Sequence, residues 1–300
     1  MNRVAVIGSS NTDMVVKTSR FPAPGETVLG GEFFVFPGGK GANQAVAAAR
    51  MGADVRFFCV LGDDTFGQQA QMGYAREGIR TDAIRKEAGI ASGIALITVN
   101  EAGENEIVVA PGANAKLTAD YLSGQAARLK ATDIALAQLE IPMPAIGFLA
   151  GFYREQGIPL ILNPAPARPL SPEVLRGLFG ITPNQTEAEI LTGIRPQTPE
   201  SAEKAAGALL DQGVEHVAIT LGAKGVFYLG PEGRFLLAPP QVNAIDTTAA
   251  GDVFNGVLAA GLASGLRWKD SLERANRAAA LSVTRMGAQA SAPYLKELQP

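Results

Sequence analysis

Six short and almost wholly apolar runs, at residues 4–8, 55–61, 134–139, 159–163, 180–182 and 216–221, recur between longer segments with helical spacing. A strand that is apolar on both sides needs cover on both faces. The alternation therefore predicts an α/β fold, a three-layer α/β/α body around a mostly parallel central sheet. The helical segments are 41–51, 66–77, 144–156 and 202–212, with two more at 251–265 and 271–286. Alanines crowd residues 42–49, which lets that helix approach a sheet closely.

Two stretches break the rhythm. Residues 13–17 with 27–36, and 93–100 with 106–110, alternate apolar and polar positions with no helix between them, which reads as two antiparallel hairpins. Although far apart in sequence, they are expected to form one small β-sheet lid, built from about 11–36 and 93–112. Lids of this kind close over substrates and exclude water. The alternative is that the hairpins add edge strands to the main sheet. With no internal repeat, low-complexity tract or linker, residues 1–300 read as one domain carrying that lid.

The charges exclude some functions. Lys and Arg number 26 against 29 Asp and Glu, interspersed, for a net charge of −3. No basic stripe is present, which argues against a nucleic-acid partner. Cys59 is the only cysteine, so no intrachain disulfide is possible. Lying within an apolar run, it reads as a small buried hydrophobe rather than a reactive thiol. His216, the only histidine, precedes a strand and reads as structural. One His, one Cys and no clustered acids argue against a zinc site or a Cys–His nucleophile. The opening Met-Asn-Arg-Val-Ala-Val-Ile-Gly reads as a first strand rather than a signal peptide. No run reaches the ~18 apolar residues of a membrane span, so a cytoplasmic chain with no membrane partner is expected.

Pro37-Gly-Gly-Lys-Gly-Ala-Asn-Gln44 opens the alanine-rich helix. Its glycines let the backbone approach a ligand, and the helix start offers free N–H groups. Asn43 adds an amide and Lys40 a positive charge; the bland alternative is a glycine-rich turn with a helix cap. It is not a Walker A loop, because Lys40 is followed by Gly and the upstream glycine is missing. In Asp246-Thr-Thr-Ala-Ala-Gly-Asp252 a small-residue turn runs straight into a helix, which makes an anion site suited to a transferred phosphate. There Asp252 is expected to stay ionised and to accept the proton of an attacking hydroxyl; equally, it reads as a helix cap. Free Asp, with a pKa of about 3.9, is a weak base for an alcohol. Phosphoryl transfer is loose, however, so alignment matters more than basicity.

In Ile181-Thr-Pro-Asn-Gln-Thr-Glu187, Asn184 and Glu187 stand three apart at a strand-to-helix junction. The spacing fits a capping box, and it equally fits a pair facing phosphates with Glu187 holding hydrated Mg²⁺. Thr220-Leu-Gly-Ala-Lys-Gly225 is a strand end with a glycine turn, suited to a nucleotide loop. Glu140 follows the strand 134–139, at the end where α/β sheets place ligands. No Gly-x-Gly-x-x-Gly follows the first strand, which sets a dinucleotide-dependent dehydrogenase aside.

Together with Gly8-Ser-Ser-Asn-Thr-Asp13, Pro22-Ala-Pro-Gly-Glu-Thr27 and Leu162-Asn-Pro-Ala-Pro-Ala167, these segments resemble the PfkB-type carbohydrate kinases (the ribokinase-like family) across nearly the whole chain. The resemblance implies ATP-dependent phosphorylation of a sugar, D-ribose at its 5-hydroxyl. Related kinases for 2-deoxyribose or fructose, and a non-catalytic sugar or nucleotide sensor, are the alternatives. It implies that Asn11, Thr12, Asp13, Gly39, Lys40, Gly41, Ala42, Asn43 and Glu140 surround the sugar, with Asp252 as base and the amides of Ala249, Ala250 and Gly251 as anion hole. ATP would meet Asn184, Thr220, Leu221, Gly222, Ala223, Lys224, Gly225, Gly251, Asp252 and Asn276, and Glu187 would support Mg²⁺ through water. An activating monovalent cation, K⁺, would lie among Asp246, Thr248, Ser282, Arg285, Gly287 and Ser291, and a homodimer would form through the lid. Ala249 departs from the glycine that many family members carry there.

Overall fold

The computed structural model describes residues 2–298. In chain order the strands are β1 (Arg3–Ile7), β2 (Asn11–Lys17), β3 (Phe33–Gly38), β4 (Asp54–Gly62), β5 (Ile84–Glu87), β6 (Gly93–Val99) and β7 (Asn105–Ala110). They continue with β8 (Ile134–Ala137), β9 (Leu160–Leu162), β10 (Gly180–Ile181), β11 (His216–Thr220), β12 (Val226–Gly230) and β13 (Gly233–Leu237). The α-helices are α1 (Lys40–Arg50), α2 (Thr65–Arg76), α3 (Ala119–Ser123), α4 (Ala126–Lys130) and α5 (Met143–Gln156). After them come α6 (Pro172–Leu175), α7 (Gln185–Thr192), α8 (Pro199–Leu210), α9 (Ala250–Ala263) and α10 (Trp268–Ser282).

Nine strands form the main sheet in the order β13-β12-β11-β10-β9-β8-β1-β4-β5, parallel except for the β12–β13 edge. Successive side chains of a strand point to opposite faces. Ala5 and Ile7 of β1 therefore pack with Ala135 and Ala137 of β8 under α5 and α8, whereas Val4 and Val6 join Ile134 and Leu136 under α1, α9 and α10. Both faces are covered, as the apolar runs require. The predicted strands and long helices appear within a few residues of their expected bounds. The edge strands β5 and β13, the inner strand β12 and the short helices lie outside the predicted elements.

The two hairpins form a separate four-stranded sheet, β3-β2-β6-β7, and add no edge to the main one. The expected strand 27–36 is shorter: pairing with β2 begins at Phe33, and residues 27–32 form a loop tied back at Lys17 by the Glu32 carbonyl. The hairpins are joined by parallel pairing of β2 with β6. Residues opposite one another share a face, so Asn11 and Asp13 lie on one side, and Val16, Phe33, Val35, Leu96 and Val108 on the other, exposed side.

The chain leaves β1 towards β4 and later returns on its other side at β8, so the strand order reverses between β1 and β8. A crevice opens at such a switch point beyond the carboxyl ends of the strands. His216 lies elsewhere, at the amino end of β11. It is buried, stacked on Trp268 at 4.5 Å and hydrogen-bonded to Tyr228 at 2.7 Å, and burial lowers its pKa to about 4. It packs as a neutral core residue. Cys59 is fully buried, with its pKa raised by burial, which matches the inert reading.

Candidate active site

The glycines around α1 bring the loops after β1 and β3 into contact. A Cβ on Gly41 would lie 2.6 Å from the Gly8 carbonyl carbon, and one on Gly39, at φ 88°, would lie 2.6 Å from the Asn11 nitrogen. A Cβ on Gly38 would collide with the Asp13 carboxylate. These absences of side chain hold the start of α1 against the crevice. Lys40, Asn43, Asp13 and Glu140 are consequently gathered around Asp252 from the first turn of α9.

Asp252 is 6% exposed. Asn43 Nδ2 donates to its Oδ2 at 2.9 Å and Gln44 Nε2 to its Oδ1 at 3.0 Å. Burial raises its pKa, while Lys40, Asn43 and Gln44 pull it back down. The helix start alone had suggested a low value; loss of water outweighs it. Burial also lifts Asp13 to about 6, with Glu140 and Asp252 adding repulsion. Lys40 is held protonated by Asp252 first, then by Glu140, Glu187 and Asp13.

Glu140 anchors the loops, accepting from Ser9 Oγ at 2.5 Å and from the Lys40 amide at 3.0 Å. Asn11 Oδ1 accepts from Asn114 Nδ2 at 2.7 Å, which turns the Asn11 amide donor outward. Of the remaining predicted sugar contacts, Thr12 alternates to the opposite face of its strand from Asn11 and Asp13. Gly41 and Ala42 are buried, with their amides bonded to Ser9, so they shape the loop. The Asn43 Oδ1 atom is buried without a partner among the described residues.

A cleft of about 790 Å³ adjoins this group, lined by the predicted Asn184, Thr220, Gly222, Ala223, Gly225, Ala250, Gly251 and Asn276. Leu221 is buried beneath it, and the Lys224 ammonium reaches away to the Gln197 carbonyl at 3.1 Å. Val242, Ala244, Phe254, Ala279 and Val283 add an apolar wall that the sequence reading missed, since short side chains from separate segments leave no motif. The capping box at α7 is formed: Asn184 accepts from the Glu187 amide and donates back to both Glu187 carboxylate oxygens. Burial raises Glu187 to about 7. A carboxylate has about four lone-pair sites, so the cap leaves Glu187 able to accept from metal-bound water.

Asp246 Oδ1 accepts from the Thr248 amide at 2.9 Å and Oδ2 from the Gly287 amide at 2.8 Å, joining the loop before α9 to the loop after α10. Ser282 and Arg285 lie at that end of α10, with the guanidinium turned to Glu297, and the Ser291 hydroxyl bonds the Ala288 carbonyl. Among the described residues no three His, Cys, Asp or Glu cluster as metal ligands. Oxygen donors such as the Asp246 carboxylate suit hard cations rather than soft transition metals.

The turn into α9 is strained. Ala249 sits at φ 59°, ψ 11°, the only positive φ outside glycine among the described residues. The Ala250 amide makes a long 3.3 Å bond to the Thr247 carbonyl, and the first-turn amides of α9 have no acceptor within the helix.

An α/β/α body with a buried carboxylate in the first turn of a helix, beside a cleft beyond the carboxyl ends of β10 and β11, defines a phosphotransferase class of site. The profile of the "pfkB family carbohydrate kinase" matches residues 1–295. The chain belongs to the pfkB family of carbohydrate kinases. It is similar to the ribokinase of Haemophilus influenzae, at 43% identity over 98% of this chain and 96% of the relative. It is similar also to the structure of Thermotoga maritima ribokinase, with TM-score 0.90 and 38% identity over 98% of this chain and 97% of that one. The structure of Arabidopsis thaliana ribokinase complexed with ribose and ATP superposes with TM-score 0.92, at 30% identity over 98% of this chain and 96% of that one.

A left-handed conformation costs a residue with a Cβ roughly 1–2 kcal/mol. Ala249→Gly is therefore expected to hold or raise the thermal unfolding midpoint, and Ala249→Val to lower it, measured by circular dichroism.

Proposed function

We propose that this chain transfers the γ-phosphate of ATP to the 5-hydroxyl of D-ribose, giving ribose 5-phosphate and ADP. The observation that carries the reading is the Asp252 carboxylate, clasped by Asn43 and Gln44 between the group of Asp13, Lys40 and Glu140 and the nucleotide-sized cleft. The names of the ribokinases above support ribose as the sugar. Asn11, Asp13, Lys40, Asn43 and Glu140 bind the pentose hydroxyls and fix its orientation. Asp252 accepts the proton as the sugar oxygen bonds to phosphorus and the bond to the β-phosphate oxygen breaks. Its raised pKa makes it a better acceptor than free Asp. The amides of Ala249, Ala250 and Gly251 face the charge on the transferred group.

Mg²⁺, bound with ATP and supported through water by Glu187, supplies charge neutralisation on the phosphates. Asp246, Thr248 and Gly287 would hold K⁺, whose charge would help order the strained turn. The second sheet acts as a lid, because its inner face carries Asn11 and Asp13. Its outer face exposes Phe33, Val35 and Leu96, each about half accessible, and mates with the same face of a second copy.

Asp252→Asn is expected to lose ~10²–10⁴-fold in kcat while staying folded. In a substrate panel with ATP, Mg²⁺ and K⁺, ribose should give the highest kcat/KM; preference for 2-deoxyribose or fructose would overturn the sugar, and retained turnover in the variant would favour a sensor. Replacing K⁺ by Na⁺ should lower the rate, and equal rates would sink the cation site. Leu96→Asp should convert a dimer into a monomer in analytical ultracentrifugation, whereas a wild-type monomer would remove the lid interface.

A further inference from the structure

Beneath Asp252 lies a group of buried amides that the proposed chemistry does not use. Gln44, Gln138, Asn163, Thr182 and Asn255 are all at most 6% exposed. Gln44 Nε2 donates to Asp252 Oδ1 and to Asn163 Oδ1, each at 3.0 Å. Gln138 Nε2 donates to Gln44 Oε1 at 2.6 Å. Asn163 Nδ2 donates to the Thr182 carbonyl at 3.2 Å, the Thr182 hydroxyl to Asn255 Oδ1 at 2.6 Å, and Asn255 Nδ2 to the Gly251 carbonyl at 2.8 Å. The path thus leaves the Asp252 carboxylate and returns to the backbone of the residue before it.

The direction of every bond is forced. An ionised carboxylate only accepts, so Gln44 must present its NH₂ to Asp252. Both hydrogens of that NH₂ are then used, and Gln44 Oε1 needs a donor of its own. Gln138 supplies it, at the cost of leaving its own Oε1 without a partner. That oxygen lies against Gly8, where any Cβ would strike it. A residue that merely filled space in the alanine-rich α1 would need none of these amides.

We propose that Gln44, locked by Gln138, is the positioning residue of the base: it anchors Asp252 Oδ1 so that Oδ2, beside Asn43, faces the attacking hydroxyl. The proposal rests on reading Asp252 as the base. Asn43, 6% exposed against 0% for Gln44, marks the more open side of the carboxylate. Gln44, fully buried, marks the inner side, where its amide nitrogen and its oxygen are both bonded to protein groups. The charged groups facing Asp252 are Lys40 from α1, Glu140 after β8, Asp13 from β2 and Glu187 from α7. None of them contacts Gln44 or Gln138 through a hydrogen bond, so substitution there leaves that field in place.

The test is steady-state kinetics of Gln44→Met and Gln138→Met with ribose and MgATP from about pH 5 to 9, with unfolding midpoints and ribose calorimetry as fold controls. For Gln44→Met, KM should stay within about threefold and kcat should fall ~10–100-fold, as a misplaced group does. The acid limb of kcat/KM should move up by about one pH unit, because a donor to the ionised form is gone. Gln138→Met should move it the same way by less. A folded Gln44→Met with the wild-type limb, or a loss confined to KM, overturns the proposal. If Gln44→Met does not fold, an unmoved limb in Gln138→Met overturns it. Asp252→Asn assayed alongside separates the two readings: turnover retained there defeats the base, whereas an inactive Asp252→Asn with unmoved glutamine variants defeats only this inference.

Discussion

The contact between α1 and α9 is the constraint on which the site depends. The two helices approach so closely that a Cβ on Gly256 would strike the Gln44 carbonyl and lie 2.7 Å from the Ala47 methyl. At that distance the side chains at the helix starts meet, and Asp252 of α9 receives hydrogen bonds from Asn43 and Gln44 of α1. Two segments separated by about 200 residues of sequence become one polar centre in an otherwise apolar layer. A buried carboxylate without donors would be costly, and donors without the carboxylate would be equally so. The apolar packing of α1, α9 and α10 on the sheet and the polar clasp therefore require one another.

Charge governs the group above that contact. Asp13, Glu140, Glu187 and Asp252 face the single ammonium of Lys40. Acids gathered in a dry space repel, and burial reinforces the effect, which is why Asp13 and Glu187 are pushed towards neutrality. Sugar hydroxyls relieve such a group by donating to it. A nucleoside triphosphate would bring further negative charge to these acids.

The fold was legible because its signal is periodic. Six two-sided apolar runs define a covered parallel sheet, and alternation at 13–17 and 93–110 defines the second sheet. The strand predicted over 27–36 begins only at Phe33, because Gly30 and Gly31 break the pattern and residues 27–32 form a loop. At the site, Asp252, Lys40, Asn43 and Glu187 were visible as acidic, basic or amide residues at helix starts. At Asn184 and Glu187 the capping box is formed, and Asn184 also lines the cleft. Gln44 stood inside a recognised motif, yet nothing in its neighbours told which atom it would meet. Gln138 and Asn114 were harder still, because each is a lone amide whose partner lies about 100 residues away in sequence. The apolar cleft wall was invisible for the same reason, being assembled from small residues of several segments.

The parallel register of β2 with β6, which pairs Asn11 with Gly93, has a consequence for how the molecule comes to exist. Neither hairpin has a partner until the intervening chain has been laid down and the body has brought residues 11 and 93 together. Closing so long a loop costs entropy before any strand pairing repays it, and such non-local contacts form slowly. The small sheet is thus a late assembly, completed only on a framework that already exists. Until then its apolar strands stand open, and the interval between making the body and zipping the sheet is when the chain is most exposed to aggregation.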